Sequence, residues 1–208
     1  MAKRVLVFSA HPDDFEIGCS GTCKKLQTQG YEIVSIVTVR PSAETNNNRS
    51  KEIVNGELTH SYNISKFRLK VFNTDLHSNG RPNLAVNNNT ITSLSTLMED
   101  CEIAILPNPE DYHQDHSNTY KLAYPLVKNV QQVWCMHSWP YCLHYTQCKP
   151  NLYVDITNQW QFKQSLLDCY NSYITEENIK QIKKVNQYAG LNPGVELAEA
   201  FTILHHYD

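Results

Sequence analysis

Two clusters of histidine and aspartate carry the chemistry available to this sequence. The first is His11-Pro12-Asp13-Asp14, which follows the apolar run 5–8. Pro is favoured at the first position of a helix, so we predict that His11 closes a strand-to-helix turn and that Pro12 begins the helix. The three-residue spacing of His11 and Asp14 puts their side chains on one side of a helical turn, and Asp13 on another. An imidazole and a carboxylate here could form half of a zinc site, although the two Asp residues could instead only cap the helix.

The second cluster follows another short apolar run, at residues 103–106. It contains His113, Asp115 and His116. One His on a loop usually has no catalytic role, but two clusters at the same edge of a sheet are far more informative. Both His113 and His116 could reach a common metal, and their spacing alone does not show which one binds it.

Alternating strands and helices are the elements that would bring the clusters together. After the opening run, we predict strands at 31–39, 66–73, 103–106 and 132–136, and a short edge strand at 151–156. We predict helices at 18–29, 49–58, 90–98, 117–126, 158–172 (with Thr157 as N-cap), 175–189 (with Thr175 as N-cap) and 194–204. Residues 75–82 and the two Asn triplets at 46–48 and 87–89 are predicted as loops and turns. The pattern predicts one Rossmann-like, doubly wound α/β domain over residues 1–208, with a mostly parallel sheet flanked by helices and sites at the carboxyl ends of its strands.

Composition excludes several classes of protein. The chain has 208 residues and a formal net charge of −3, unlike the strongly basic surface of a nucleic-acid-binding protein. It contains no apolar run long enough for a transmembrane helix and no recognisable signal peptide, so we expect neither a membrane span nor export. The seven cysteines include no Cys-x-x-Cys pair, which indicates reduced thiols in a cytoplasmic protein. The oligomeric state stays open, with a homo-oligomer as one alternative.

A catalytic zinc needs three N or O ligands and an open position for water, and our assignment is His11, Asp14 and His116. Water on zinc ionises near neutral pH, and a free carboxylate must then take its proton and pass it to the leaving group. Asp13 is the candidate for that general base. The developing oxyanion needs a donor or a positive charge, for which His113 is the candidate, with Asp115 orienting its ring.

The clusters resemble those of the LmbE/PIG-L family, zinc-dependent N-deacetylases that remove acetyl groups from N-acetylglucosamine-type sugars. The similarity covers nearly the whole chain, through Ala10-His11-Pro12-Asp13-Asp14 with Glu16 and Gly18, Cys19-Ser20-Gly21-Thr22, Arg49-x-x-Glu52, His113-Gln114-Asp115-His116, Val154-Asp155-Ile156-Thr157 followed by Lys163, and Ala198-Glu199-Ala200-Phe201. Two departures from the usual family pattern, Phe15 and Ser20, involve no proposed ligand.

The resemblance implies zinc on His11, Asp14 and His116, with Asp13 as general base and His113, supported by Asp115, as electrostatic or acid partner. Arg49 resembles the family arginine that reaches the substrate or the active-site loop, although it could instead pair with Glu52 or Glu57 on a helix surface. The implied activity is a metal-dependent hydrolase that deacetylates a small N-acetylated amino sugar, free or carried on a nucleotide, lipid or thiol conjugate.

Three questions stay open at this point: the metal, the reaction and the role of one segment. Ligands of this kind would also accept Fe²⁺, Co²⁺ or Ni²⁺ in place of Zn²⁺. The domain could cleave a different amide, or be a non-catalytic nucleotide-sugar-binding or glycosyltransferase-like domain, although the first loop lacks the glycines of a phosphate-binding turn. The segment 134–149 is rich in aromatic residues and His, and could stack on a sugar, pack internally or form a subunit interface.

Overall fold

A computed structural model describes residues 3–39, 50–72, 75–76, 82–140, 142 and 149–207. Its main sheet contains the strands β1 (Arg4–Ser9), β2 (Glu32–Val37), β3 (Arg68–Val71), β6 (Ile103–Leu106), β7 (Gln132–Met136), β8 (Leu152–Asp155) and β9 (Ala198–His206), and a separate two-stranded pair contains β4 (Asp75–Leu76) and β5 (Pro82–Asn83). The helices are α1 (Asp14–Gly18), α2 (Ser20–Thr28), α3 (Lys51–Ser65), α4 (Asn88–Ser95), α5 (Gln114–Val127), α6 (Trp160–Leu167) and α7 (Glu176–Gly190).

The order of strands in the main sheet is β3-β2-β1-β6-β7-β9-β8. The first five strands in this order are parallel to one another, whereas β9 runs antiparallel to both β7 and β8. This confirms the predicted α/β fold with a mostly parallel sheet. The chain moves outward from β1 to β2 and β3, and then returns to β6 on the other side of β1. Loops that leave the carboxyl ends of β1 and β6 therefore meet at a topological switch point, where open α/β sheets bind their ligands.

Both faces of the sheet are covered by helices. Alternate residues of β1 point to opposite faces, because side chains in a strand have a period of two. Leu6 and Phe8 pack in one core with residues of α4 and α5, whereas Val5 and Val7 pack in the other with residues of α1, α2, α3 and α6. Since β1 is buried on both faces, its carboxyl end is a rigid support for the His-Pro-Asp-Asp segment.

The first turn differs from the prediction. The helix begins at Asp14 and not at Pro12, because Asp13 precedes it as N-cap with a φ of 99°. This left-handed conformation is costly for any residue other than Gly and interrupts the right-handed helical path. The predicted helix 18–29 is also divided, since Cys19 (φ −150°) separates α1 from α2.

The C-terminal segment is the largest error of the sequence prediction. Residues 194–204 were predicted as helix, but β9 occupies Ala198–His206 between β7 and β8. Ala and Glu favour helices, yet here the backbone of β9 fills the gap between two strands and pairs on both sides. Tertiary pairing therefore overrides a weak local preference.

Smaller differences concern the ends of other elements. Helix α3 extends beyond the predicted range 49–58 at its C-terminal end and leaves Ile53 45% exposed. Helix α4 begins within the Asn triplet 87–89, and α5 begins three residues before the predicted 117. The expected loop 75–82 contains all of β4 and the first residue of β5. Thr157 belongs to a 3-10 turn before α6 and is not the N-cap of a long helix.

A buried ion pair holds α1 and α2 against the C-terminal half of the chain. Nζ of Lys163 donates to Oε1 of Glu199 (2.6 Å) and to the carbonyl of Ile17 (2.7 Å). The Glu199 carboxylate also accepts the backbone N–H groups of Gly21 (3.1 Å) and Thr22 (2.7 Å) at the start of α2. An anion there satisfies helix donors that have no intrahelical partner. The family-like residues Lys163 and Glu199 therefore position the segment that carries the first cluster.

Candidate metal centre and active site

The two clusters lie together at the switch point. His11 follows β1, and the backbone N–H of His11 donates to Oδ2 of Asp14 (2.8 Å), which fixes that carboxylate at the start of α1. His116 lies in the first turn of α5, whose N-cap is His113. Both segments therefore place their polar side chains at the ends of helices, directly beyond the carboxyl ends of β1 and β6.

Three side-chain atoms converge in the geometry of a metal site. Nε2 of His116 lies 3.3 Å from Nδ1 of His11 and 3.2 Å from Oδ2 of Asp14, and the last two atoms are 3.6 Å apart. A tetrahedral ion with bonds of about 2.0–2.1 Å separates its ligands by about 3.3–3.4 Å, so these distances fit a zinc-like ion. One ring nitrogen of His113 lies near the same point, since each of the three His residues offers one nitrogen within 4.8 Å of those of the other two.

Two further carboxylates fix the orientation of the histidine rings. Oδ2 of Asp115 lies 2.9 Å from Nε2 of His11, and Oδ2 of Asp111 lies 2.7 Å from Nδ1 of His116. In each ring the nitrogen opposite the carboxylate is the one that faces the convergence point. A metal-ligating His commonly donates its other N–H to a carboxylate in this way, which selects the tautomer and strengthens the ligand.

Sequence reasoning missed the role of Asp111. Its side chain is buried, accepts the backbone N–H of His113 through Oδ1 (2.9 Å) and contacts the ring of His116 through Oδ2. The available signal was an Asp in the same loop, five residues before a candidate ligand. Periodicity could not identify it, because the contact depends on how the loop folds back before α5.

Asp111→Asn should weaken metal binding by about tenfold to a hundredfold, because an amide cannot polarise the His116 ring as a carboxylate does. Competition with a chromophoric chelator measures the affinity. The control is Asp168→Asn, which removes an exposed carboxylate from the 3-10 turn after α6. If the variant binds metal as tightly as the unmodified protein, then Asp111 does not support the metal site.

His113 occupies a different position from the other two rings. Its Nδ1 accepts the backbone N–H of Asp115 (3.3 Å), so Nε2 carries the proton of the neutral ring and can donate it to an oxygen. Burial, followed by repulsion from His11 and His116, lowers the pKa of His113 and favours this neutral form. We predicted that Asp115 orients His113. In the structure, the backbone N–H of Asp115 contacts the His113 ring, whereas the Asp115 carboxylate contacts His11. The sequence did not indicate the second contact.

Asp13 is buried beside the ligands, with 8% of its surface exposed. Its backbone is left-handed, with a φ of 99°, whereas Asp14 is the first residue of α1. Arg49, our candidate for substrate contact, lies outside the described residues, and its role stays a prediction.

The carboxylates control the protonation of the two histidines that are candidate ligands. Burial disfavours the charged form of His11, but hydrogen bonds to Asp115 and Asp14 outweigh it and raise the pKa to about 9. Burial likewise opposes protonation of His116, but the charge of Asp14 and the hydrogen bond to Asp111 raise its pKa to about 10. Burial works against ionisation of Asp14, yet the His116 and His11 rings hold its pKa well below the usual value.

Metal uptake by the stripped protein should therefore release about two protons below pH 9, one from each ligand ring. The apparent affinity should rise with pH between 6 and 8, because protons compete for the same nitrogens. Calorimetry in buffers of different ionisation enthalpy counts the protons. His113→Ala should release the same number, since the pKa of His113 is lowered. Release of less than one proton would contradict the assignment of both rings.

Comparison with known proteins identifies the family. Residues 6–127, more than half of the chain, match the family described as PIG-L: GlcNAc-PI de-N-acetylase. The chain belongs to the PIG-L family. The matched residues contain both clusters, and the match confirms the resemblance on which the sequence prediction rested. Membership of this family indicates an N-deacetylase type of hydrolase.

Individual relatives agree with this family and fold. The uncharacterised deacetylase YaiS of Escherichia coli K12 is 25% identical in an alignment of 141 residues that covers 63% of this chain and 71% of that protein. The N,N'-diacetylchitobiose deacetylase of Pyrococcus horikoshii superposes with a TM-score of 0.78 at 20% identity, over 98% of this chain and 84% of that one. The 4-carboxy-2-hydroxymuconate hydratase GalB of Pseudomonas putida superposes with a TM-score of 0.77 at 18% identity, over 99% and 98%.

The likeness to a hydratase shows that this fold does not determine the reaction. The reaction of this PIG-L protein therefore depends on its own donor atoms and carboxylates. In the described part of the chain, no helix combines the length and apolar character needed to cross a bilayer.

Proposed function

We propose that the protein is a Zn²⁺-dependent hydrolase that removes the acetyl group from a small N-acetylated amino sugar, and that residues 1–208 form a single domain for this activity. The observation that carries the proposal is the convergence of His11, Asp14 and His116, at 3.2–3.6 Å, with a carboxylate behind each ring. Two nitrogens and one oxygen are a ligand set that suits catalytic zinc. The family description supports the amide of an acetylated sugar as substrate.

These three side chains would hold the ion. A divalent metal bound there supplies polarisation of the acetyl carbonyl and activation of water near neutral pH. Asp14 is ionised at neutral pH, because its pKa is lowered, and it therefore contributes negative charge without losing a proton.

Asp13 acts as general base and then as general acid. Its carboxylate takes a proton from the attacking water as oxygen bonds to the acetyl carbon, and then gives that proton to the amide nitrogen as the C–N bond breaks. The products are acetate and a free amine. His113, through Nε2–H, donates to the carbonyl oxygen as negative charge develops there. The backbone N–H of Asp115 holds His113 in this tautomer.

The remaining roles complete the proposal. Arg49 contacts the sugar or its conjugate, as the family resemblance implies. The enzyme works in the cytoplasm, which agrees with the six described cysteines, since no two of them form a disulfide and five of them are buried. Homo-oligomerisation is compatible with this function but is not required by it.

Amine release from a panel of N-acetylated sugars and nucleotide sugars tests the function. The enzyme is stripped of metal, and one portion is reloaded with Zn²⁺ and another with Fe²⁺. Zinc-dependent release of amine and acetate in equal amounts from one substrate is the expected result. Metal binding without release from any substrate would move the activity to another amide, and failure to bind metal would refute the site.

A further inference from the structure

A cavity of about 560 Å³ lies between helix α7 and the edge of the sheet formed by β8 and β9. Its walls include Tyr153 of β8, Ala200 of β9 and residues 181–192 on and after α7, together with His137 and Trp139 after β7. The volume is in the range of sites for small organic ligands, about 300–1,000 Å³. The sequence prediction and the proposed mechanism give this cavity no role.

The described lining combines aromatic rings with positive charge. The rings are Trp139, Tyr153 and Tyr188, and the charges are the ammonium groups of Lys149 and Lys184. The described lining residues include no Asp or Glu, so the described side chains that line the cavity carry a net positive charge. Lysine binds phosphate as a point charge, and aromatic faces pack against the apolar face of a sugar or base.

Side-chain amides add groups that can recognise hydroxyls. Gln181, Asn186 and Asn192 line the cavity. Asn186 is buried, and its Nδ2 donates to the carbonyl of Ala198 (3.0 Å), while its Oδ1 has no partner among the described residues. Amides, rings and lysines around one concavity favour a ring compound that carries hydroxyls and an anionic group.

His137 fixes one wall of the cavity. Its Nε2 donates to Oγ1 of Thr202 (2.7 Å), because that hydroxyl donates its own hydrogen to the carbonyl of Lys149 (2.9 Å). Nδ2 of Asn108 lies 3.4 Å from the same ring nitrogen, and Asn108 begins the loop that leads to Asp111. The cavity is thus adjacent to the loop of the second cluster, but no proposed metal ligand lines it.

We propose that this cavity is a second binding site, which takes a phosphorylated sugar. Lys149 and Lys184 bind the phosphate, and Tyr188 and Trp139 contact the ring. The site does not depend on the deacetylase assignment, because its residues are separate from His11, Asp14 and His116. In this proposal the cavity recognises an anionic sugar, and the metal centre acts separately on an amide.

Lysine footprinting on the zinc-loaded protein tests the site directly. An amine-reactive acetylating reagent is applied with and without N-acetylglucosamine 1-phosphate as the probe, and mass spectrometry gives the labelling rate of each lysine. Lys149 and Lys184 should be protected at least about threefold. Lys180, which is exposed on the same helix but does not line the cavity, is the internal control.

Binding by matched variants provides the second measurement. Lys184→Gln should weaken binding of the probe by about tenfold or more, as loss of a charge-assisted hydrogen bond does, whereas Lys180→Gln should change it less than twofold. Tyr188→Ala should weaken the sugar phosphate more than inorganic phosphate. Tyr188 and Lys184 are exposed, so neither change should disturb folding.

Three outcomes would overturn the proposal: unprotected Lys149 and Lys184 at saturating probe, equal effects of Lys184→Gln and Lys180→Gln, or equal affinity for inorganic phosphate and the sugar phosphate. Footprinting of Asp13→Asn separates this proposal from the proposed function. Protection without turnover supports the cavity whatever happens at the metal centre, and turnover of a neutral sugar without protection supports only the metal centre.

Discussion

Asp13→Asn should reduce turnover by about 10²–10⁴-fold while the protein still binds one metal ion per chain. An amide at this position has nearly the same size as the carboxylate but cannot accept the proton of the attacking water. Asn is a better choice than Ala, because the residue has a φ of 99° and Asn tolerates left-handed backbone better than most side chains. The effect should therefore be chemical, with little change in folding.

Steady-state amine release and metal content by mass spectrometry measure the two properties separately. The matched control is Asp168→Asn, which should alter neither. Asp14→Asn provides the opposite pattern, since it should lose metal and turnover together. If Asp13→Asn and Asp14→Asn lose metal to the same extent, then the division of roles between the adjacent carboxylates is wrong.

The conformation of Asp13 links this prediction to the fold. A non-Gly residue in the left-handed region costs about 1–3 kcal/mol and persists only where its surroundings enforce it. Here β1 is buried on both faces, and Asp14 accepts the backbone N–H of His11, so both flanks of Asp13 are fixed. Asp13→Gly should relieve this strain. If Asp13→Gly is at least as stable as the unmodified protein but inactive, then the strained turn is retained for catalysis and not for stability.

Local sequence was sufficient for the parts of the site that lie next to buried strands. The apolar runs of β1 and β6 predicted where two loops meet, and the positions of His11, Asp14 and His116 follow from that meeting. The residues within each cluster are close in sequence, so they stay close in space however the remainder of the chain folds. The parallel order of β1, β2 and β3 was predictable for the same reason, since each crossover is short.

Long-range packing determined what the sequence did not predict. The helical preference of 198–204 gave way to pairing with β7 and β8, which no local pattern reveals. Asp111 became the support of His116 only because its loop turns back, with Asp111 N–H bonded to the carbonyl of Asn108 (3.2 Å). The cavity beside α7 depends on the pairing of β9, because β9 forms part of its wall.

His116→Ala should abolish turnover by removing the metal, with a loss of metal affinity of about a hundredfold or more. His116 is 6% exposed, and its ring joins the two halves of the site, because Nε2 faces His11 and Asp14 while Nδ1 contacts Asp111. His113→Ala should give the complementary result. It should retain the metal and lose about 10²–10³-fold in rate, as expected for loss of one oxyanion donor.

Removal of the His116 ring also takes a partner from the buried Asp111 carboxylate, which could destabilise the fold. The double variant His116→Ala/Asp111→Ala removes that charge as well, so it should recover stability in thermal melts without recovering metal. His60→Ala, an exposed change on α3, is the control for His substitution. If His113→Ala loses the metal and His116→Ala retains it, then His113 is the third ligand and His116 the oxyanion donor. Since Asp111 contacts His116, that exchange would also move Asp111 from supporting a ligand to supporting the donor.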